Sequence, residues 1–162
     1  MSTIHLVFGP QGAGKTTQAR ALAARFGGVR FSIDEWMAQL FAPDLPPTMD
    51  LAWIMARVQR CEQRIWSTAM DIAAAGRDVV LDLGLAQAQK REEWRERAQL
   101  AGHAVQWHFV DAPLDLRRER VLARNVERGE TFAFEVTPAM FDFMEARFES
   151  PSDDERAAVF NG

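Results

Sequence analysis

The chain has 162 residues, 48% hydrophobic and 26% charged, an ordinary globular composition that is long enough to bury one core without staples. Its net charge of −4 gives no overall basic face for tracking along nucleic acid, and its single cysteine, Cys61, excludes an internal disulfide framework and a four-cysteine zinc site. The N-terminus is neither basic nor followed by a long apolar run, so neither a signal peptide nor a membrane span is expected. A cytoplasmic protein, monomer or homodimer, is the resulting expectation.

Ile4 to Phe8 is a short apolar run that reads as a buried strand, and Thr17 to Phe26 is rich in Ala, Leu and Arg and reads as a helix. Between them Gly9-Pro10-Gln11-Gly12-Ala13-Gly14-Lys15-Thr16 satisfies G-x-x-x-x-G-K-[ST] at every fixed position. Glycines let backbone N–H groups approach phosphate oxygens, and the helix that follows adds its unpaired N–H groups and the positive end of its dipole. The expected nucleotide-binding residues are therefore Gly9, Gln11, Gly12, Ala13, Gly14, Lys15, Thr16 and Thr17. Lys15 would reach the β- and γ-phosphates, and Thr16 would offer its hydroxyl to Mg²⁺.

Val29 to Ser32 reads as a second strand, and Asp34 to Phe41 as a short helix ending before Pro43. Asp50 can cap a long helix whose apolar residues, from Leu51 through Ile54, Met55 and Val58 to Ile72, recur at spacings of three and four, with Gly76 as its stop. Val79-Val80-Leu81 is a buried strand with Asp82 at its C-terminal end. Lys90 to Ala101 is a charged helix, Ala104 to Val110 a fourth strand, and Pro113 to about Asn125 a further helix. Ala157 to Phe160 reads either as a last strand or as a tail.

Strands alternating with helices imply a parallel sheet covered on both faces. The expected fold is α/β: a three-layer α/β/α sandwich with a mainly parallel sheet of four to five strands in one domain spanning 1–162. Ligands in such sheets sit beyond the C-terminal strand ends. The phosphate loop, Asp34, Asp82 and Asp111 all answer that description.

Phosphoryl transfer needs a cradle for the donor, a metal, a group that deprotonates the acceptor, and positive charge on the transferring oxygens. Thr16 and Asp82 are the metal candidates, Asp82 having the turn or cap aspartate as its other reading. Asp34 is open between general base and cap of the helix that follows it. Arg117, Arg120, Arg124 and Arg128 recur at spacings of three and four and so share one expected face, either a solvated basic stripe or the base of a flap broken at Gly129-Glu130-Thr131. On a flap, Arg124 and Arg128 would close over the γ-phosphate. The histidines His5, His103 and His108 lack metal-ligand spacing.

On Gly9 to Thr16, Ser32-Ile33-Asp34-Glu35-Trp36, Val80-Leu81-Asp82, Arg124 to Gly129 and Val136-Thr137-Pro138, the chain resembles the small P-loop kinases. That group includes polynucleotide 5′-hydroxyl kinases, zeta-toxin-like and chloramphenicol phosphotransferase-like enzymes, and chains labelled AAA-type ATP-binding proteins. The resemblance implies a kinase-like P-loop fold with a lid around 124–137, ATP and Mg²⁺ as cofactors, Lys15, Asp34 and Arg128 as catalytic residues, and a hydroxyl-bearing small molecule as acceptor. Met37 stands where polynucleotide kinases have an arginine that helps hold the acceptor phosphate, a departure from a nucleic-acid acceptor. An AAA-type switch ATPase and a 5′-hydroxyl nucleic-acid kinase are the alternatives. Leu83, rather than a water-positioning glutamate, follows Asp82, and no Asn-Lys-x-Asp segment selects guanine.

Overall fold

The computed structural model describes residues 1–129, 132 and 135–160, and among these are four strands and seven α-helices. Strands β1 (Thr3–Phe8), β2 (Val29–Ser32), β3 (Val79–Asp82) and β4 (Ala104–Phe109) form one parallel sheet in the order β2-β3-β1-β4. The helices are α1 (Lys15–Phe26), α2 (Ile33–Leu40), α3 (Leu51–Ala74), α4 (Ala88–Leu100), α5 (Leu114–Glu127), α6 (Pro138–Arg147) and α7 (Asp153–Ala157). This is the three-layer α/β/α sandwich that the strand-helix alternation implies.

The two central strands, β1 and β3, are buried on both faces, which is why Val79-Val80-Leu81 is continuously apolar, whereas β2 and β4 at the edges carry Arg30 and Gln106. Ile4, Leu6 and Phe8 of β1 join Val79 and Leu81 of β3 in a core shared with α3 and α4, while Val7 and Val80 pack against Ala19 and Leu22 of α1. Helix α3 is started by Asp50, whose Oδ1 accepts from the Trp53 N–H at 3.0 Å, and turns Ile54, Cys61, Ile65, Ala69 and Ala73 inward. Its expected apolar stripe opens later than the sequence suggests, since Leu51 and Met55 are exposed. Burying a side chain such as Ile65 completely contributes about 1.5–3 kcal/mol.

Several boundaries move. Helix α1 begins at Lys15, directly on Gly14, which has a left-handed φ of 100° and supplies no side-chain cap. Pro113 is the cap of α5 rather than a residue of its first turn. The last strand reduces to one parallel bridge, Trp107 with Val159, beside which Phe160 N–H donates to the Trp107 carbonyl at 2.8 Å. Helices α6 and α7 are additions to the sequence reading. Thr137 caps α6 ahead of Pro138, and Ser152 with Glu155 forms a capping box on α7.

Arg91 of α4 ties this C-terminal segment down. It is 1% exposed, yet Nε bonds Glu155 Oε2 at 2.5 Å, Nη1 donates to the Leu85 carbonyl at 2.9 Å and Nη2 to the Glu149 carbonyl at 3.0 Å. Its guanidinium also lies 4.9 Å from the Phe8 ring centroid. Among the described residues, no helix is long and apolar enough to cross a membrane.

Candidate active site

Parallel pairing sets the ends of β1, β2 and β3 side by side, with Val7 and Ser32 both opposite Asp82. The glycine-rich loop leaves β1 at this edge and is wedged against β4 and α5. A Cβ on Gly9 would stand 1.9 Å from the Val110 carbonyl oxygen, and one on Gly12, whose φ is +75°, would stand 2.5 Å from that of Arg117. Glycine at both positions is thus imposed by close backbone approach. Lys15 opens α1 and folds back over the loop, donating from Nζ to the Gly9 and Pro10 carbonyls at 3.0 Å each.

Thr16 Oγ1 donates to Asp82 Oδ2 at 3.2 Å, so the two candidate metal ligands are already in contact. Asp82 is 5% exposed. Burial raises its pKa to about 6, and Asp34 pushes the same way, while Lys15, the Thr16 hydroxyl and Arg30 pull it down.

Asp34 is the second residue of α2. The capping role belongs instead to Ser32, whose Oγ accepts from the Glu35 N–H at 3.3 Å. That removes the cap alternative for Asp34, whose carboxylate makes no hydrogen bond among the described residues. Asp34 is exposed to solvent, with the charges of Lys15 and Arg124 acting on its carboxylate. Partial loss of hydration beside the surrounding protein raises its pKa against the pull of Lys15 and Arg124, with Glu35 adding to the rise. Glu35 itself is turned away, into a two-oxygen contact with Arg30 at 2.9 and 2.8 Å. Lys15 feels the reverse. Its pKa is lowered first by burial and by Arg124 and Arg117, against Asp82 and Asp34.

A cleft runs between the loop and α5, lined by Gly12, Gly14, Thr17, Arg120, Arg124 and Glu127 among others. The Arg124 side chain makes no hydrogen bond or ion pair within the described residues, and its charge reaches both Lys15 and Asp34. Arg128 departs from the expected face. Helix α5 ends at Glu127, and Arg128 is its left-handed C-cap at φ 47°, exposed, with Nε donating to the Asn125 carbonyl. Only Arg117, Arg120 and Arg124 therefore share a helical face, and Arg117 is buried. The flap residues Glu130 and Thr131 lie outside the described residues. At its base, Asn125 pairs with Val136 through both amide atoms, Nδ2 to the carbonyl at 2.8 Å and N–H to Oδ1 at 2.9 Å.

Asp111 does not join the cluster. It is exposed, its Oδ1 accepts from the Ala112 N–H, and Arg117 Nε lies 3.8 Å away. His5 and His108 are buried in the sheet and pair with each other at 3.0 Å, His5 also reaching Asp78 at 3.2 Å. No group of His, Cys, Asp and Glu among the described residues forms a metal cluster by itself. Met37 is core, Met55 is exposed, and Arg57 stacks on Trp53 at 3.6 Å. Sequence reasoning placed Arg120 on the shared arginine face but missed its contact with the loop, Nη1 to the Gly12 carbonyl, and it missed the Ser32 cap. The S-x-x-E signature Ser32-Ile33-Asp34-Glu35 carried the second signal.

A family model described as an AAA domain matches residues 4–151. No curated protein matches the chain. Among solved structures, a protein described as a kinase from Chloroflexus aurantiacus is 20% identical, with a TM-score of 0.71 over 93% of this chain and 78% of that one. Chaetomium thermophilum Kti12 in complex with ADP-AlF3 is 18% identical, TM-score 0.65, over 94% and 84%. Mycobacterium tuberculosis APS kinase CysC in complex with AMPPNP and APS is 17% identical, TM-score 0.65, over the same shares. These likenesses establish the P-loop fold.

Proposed function

The chain belongs to the AAA domain family, and from that premise and the site geometry we propose that it is an ATP-dependent phosphotransferase acting on a hydroxyl of a small molecule. The observation that carries this reading is Asp34. An unpartnered carboxylate, raised in pKa and within the field of Lys15 and Arg124, stands at the strand edge that holds the phosphate loop. A switch ATPase has no use for such a base aimed at an acceptor, and the buried Leu83 occupies the position after Asp82. Same-fold structures in complex with ADP-AlF3, for Kti12, and with AMPPNP and APS, for APS kinase, support a nucleotide on the loop.

In this reading Gly9, Gln11, Gly12, Ala13, Gly14, Lys15, Thr16 and Thr17 bind the triphosphate. Asp34 accepts the acceptor's hydroxyl proton as the acceptor oxygen bonds to the γ-phosphorus. The bond from that phosphorus to the β,γ-bridging oxygen breaks, and ADP leaves with the electron pair. Lys15 and Arg124 offset the charge that spreads over the transferring oxygens, joined by Arg128 once the lid around 124–137 is closed. Thr16 and Asp82 are hard oxygen donors in contact with one another, a set that fits Mg²⁺ directly or through water. Bound there, Mg²⁺ would neutralise developing charge on the phosphoryl oxygens.

The test is a panel of hydroxyl compounds, sugars, nucleosides and 5′-hydroxyl oligonucleotides included, incubated with γ-labelled ATP and Mg²⁺. Label on a small molecule, abolished by Lys15→Ala, is the expected result. Label on the oligonucleotide alone would move the acceptor to nucleic acid. ATP hydrolysis with assembly into a larger oligomer and no transfer would replace the reading with a switch ATPase.

A further inference from the structure

Arg117 is 6% exposed, and its guanidinium makes four hydrogen bonds. Nε donates to the Ala112 carbonyl at 2.8 Å, and Nη1 and Nη2 fork onto the two Glu145 oxygens of α6 at 2.7 Å each. The second Nη1 proton reaches the carbonyl of Gln11, inside the phosphate loop, at 3.4 Å. One turn on, Arg120 Nη1 donates to the carbonyl of the next loop residue, Gly12, at 3.2 Å. A third contact on the loop comes from α6, where Gln11 Nε2 donates to the carbonyl of fully buried Phe141 at 2.7 Å.

The orientation of these carbonyls has a chemical consequence. In a trans peptide the C=O of one residue and the N–H of the next point in opposite directions. With the Gln11 and Gly12 carbonyls turned onto the α5 arginines, the N–H groups of Gly12 and Ala13 are turned away from them. The Gly12 N–H has no hydrogen-bond partner among the described residues, and that of Ala13 rests on the Pro10 carbonyl at 3.3 Å, a long bond that a phosphate oxygen can displace. Gly12, Ala13 and Gly14 all line the cleft.

We propose that the Arg117–Glu145 pair is a positioning device for the phosphoryl donor: Glu145 aims Arg117 so that, with Arg120, it pins two successive loop carbonyls and presents the Gly12 and Ala13 N–H groups to the phosphates. The inference rests on the reading of the loop as the ATP site. The chemistry favours positioning over packing alone. A bidentate fork uses one proton on each Nη and leaves an Nη1 proton for the loop, which the point charge of a lysine does not reproduce. A separate contact joins α6 to α5, the Arg118 guanidinium lying 5.1 Å from the ring centroid of the buried Phe141.

The experiment compares Arg117→Lys and Glu145→Gln with wild type by calorimetric titration with ATP and with adenosine, and follows the Gly12 amide resonance in ¹H–¹⁵N spectra. Both variants are expected to weaken ATP by about tenfold, leave adenosine within about twofold, and shrink the ATP-induced shift of the Gly12 amide. ATP affinity within about twofold of wild type in folded variants overturns the inference. Equal losses for ATP and adenosine do so as well, because they report general damage. Should Arg117→Lys fail to fold, Glu145→Gln carries the test, since it keeps the guanidinium and removes only the charge that aims it. A wild-type protein that binds no ATP overturns the reading of the loop together with this inference, whereas normal ATP binding in all three proteins overturns the inference alone.

Discussion

Replacing Arg91 by methionine tests how the C-terminal segment is held. The substitution keeps much of the side chain's bulk and removes a guanidinium that is 1% exposed, bonded to both Glu155 oxygens and to the carbonyls of Leu85 and Glu149. What remains is a half-buried carboxylate without its countercharge and two carbonyls without a donor. Breaking a buried pair from one side costs about 3–5 kcal/mol. For a domain of this size, at about 2–4 °C per kcal/mol, the midpoint of thermal unfolding should fall by roughly 6–20 °C. Urea unfolding at neutral pH measures the loss directly, and the cycle with Glu155→Gln isolates the pairwise share. Burial pushes the Glu155 pKa up, but the Arg91 and Ser152 contacts outweigh it and leave the pKa lowered. The pair's stabilisation is therefore present above the unfolded glutamate value and is lost as pH falls through the lowered folded one. A cost below about 1 kcal/mol for Arg91→Met would refute the reasoning, since it would mean that water reaches the cluster as freely as it reaches a surface pair.

The buried histidine pair should make the fold acid-sensitive. Burial lowers both pKa values, that of His108 to about 4, with His5 and Arg25 acting in the same direction. Because the unfolded chain binds protons at higher pH, stability is complete above about 6.5 and declines as pH falls toward 4, by at most about 3 kcal/mol for His108. Urea curves at several pH values check the slope, which His108→Leu should flatten. Gly9→Ala should abolish ATP binding, as its Cβ would stand 1.9 Å from the Val110 oxygen and force the loop off β4; calorimetry checks it, and normal affinity would show the loop to be yielding. Asp82→Asn should leave ATP binding nearly intact without Mg²⁺ but remove most of the Mg²⁺-dependent gain, read by titration with and without the metal.

The sheet was legible because its central strands are short, mainly apolar runs, because Gly27-Gly28 and Gly102 mark the turns ahead of β2 and β4, and because the phosphate loop fixes where β1 ends and α1 begins. The buried arginines were not. Arg91 sits in a helix that reads only as charged, and Arg117 on a face left open between a solvated stripe and the base of a flap; their burial depends on Glu155 and Glu145, 64 and 28 residues away, which periodicity cannot supply. Arg128 was assigned to a helical face by extrapolating a spacing past the end of α5, where a left-handed residue breaks the register. Asp34 shows the opposite case. Sequence left it balanced between cap and base, and one hydrogen bond to Ser32 settled which residue caps α2. Helix α6 escaped notice for lack of a strong apolar period, although Thr137-Pro138 is a sound start signal.

The central claim is that Asp34 takes the acceptor's proton at a donor site built on Gly9 to Thr16. Asp34→Asn tests it most directly, through the rate of phosphoryl transfer to the acceptor found in the panel, alongside ATP affinity. Transfer should fall by about 10²–10⁴-fold while ATP affinity stays within a few-fold, because the amide keeps the shape and loses the base. Transfer by Asp34→Asn at the wild-type rate would contradict it.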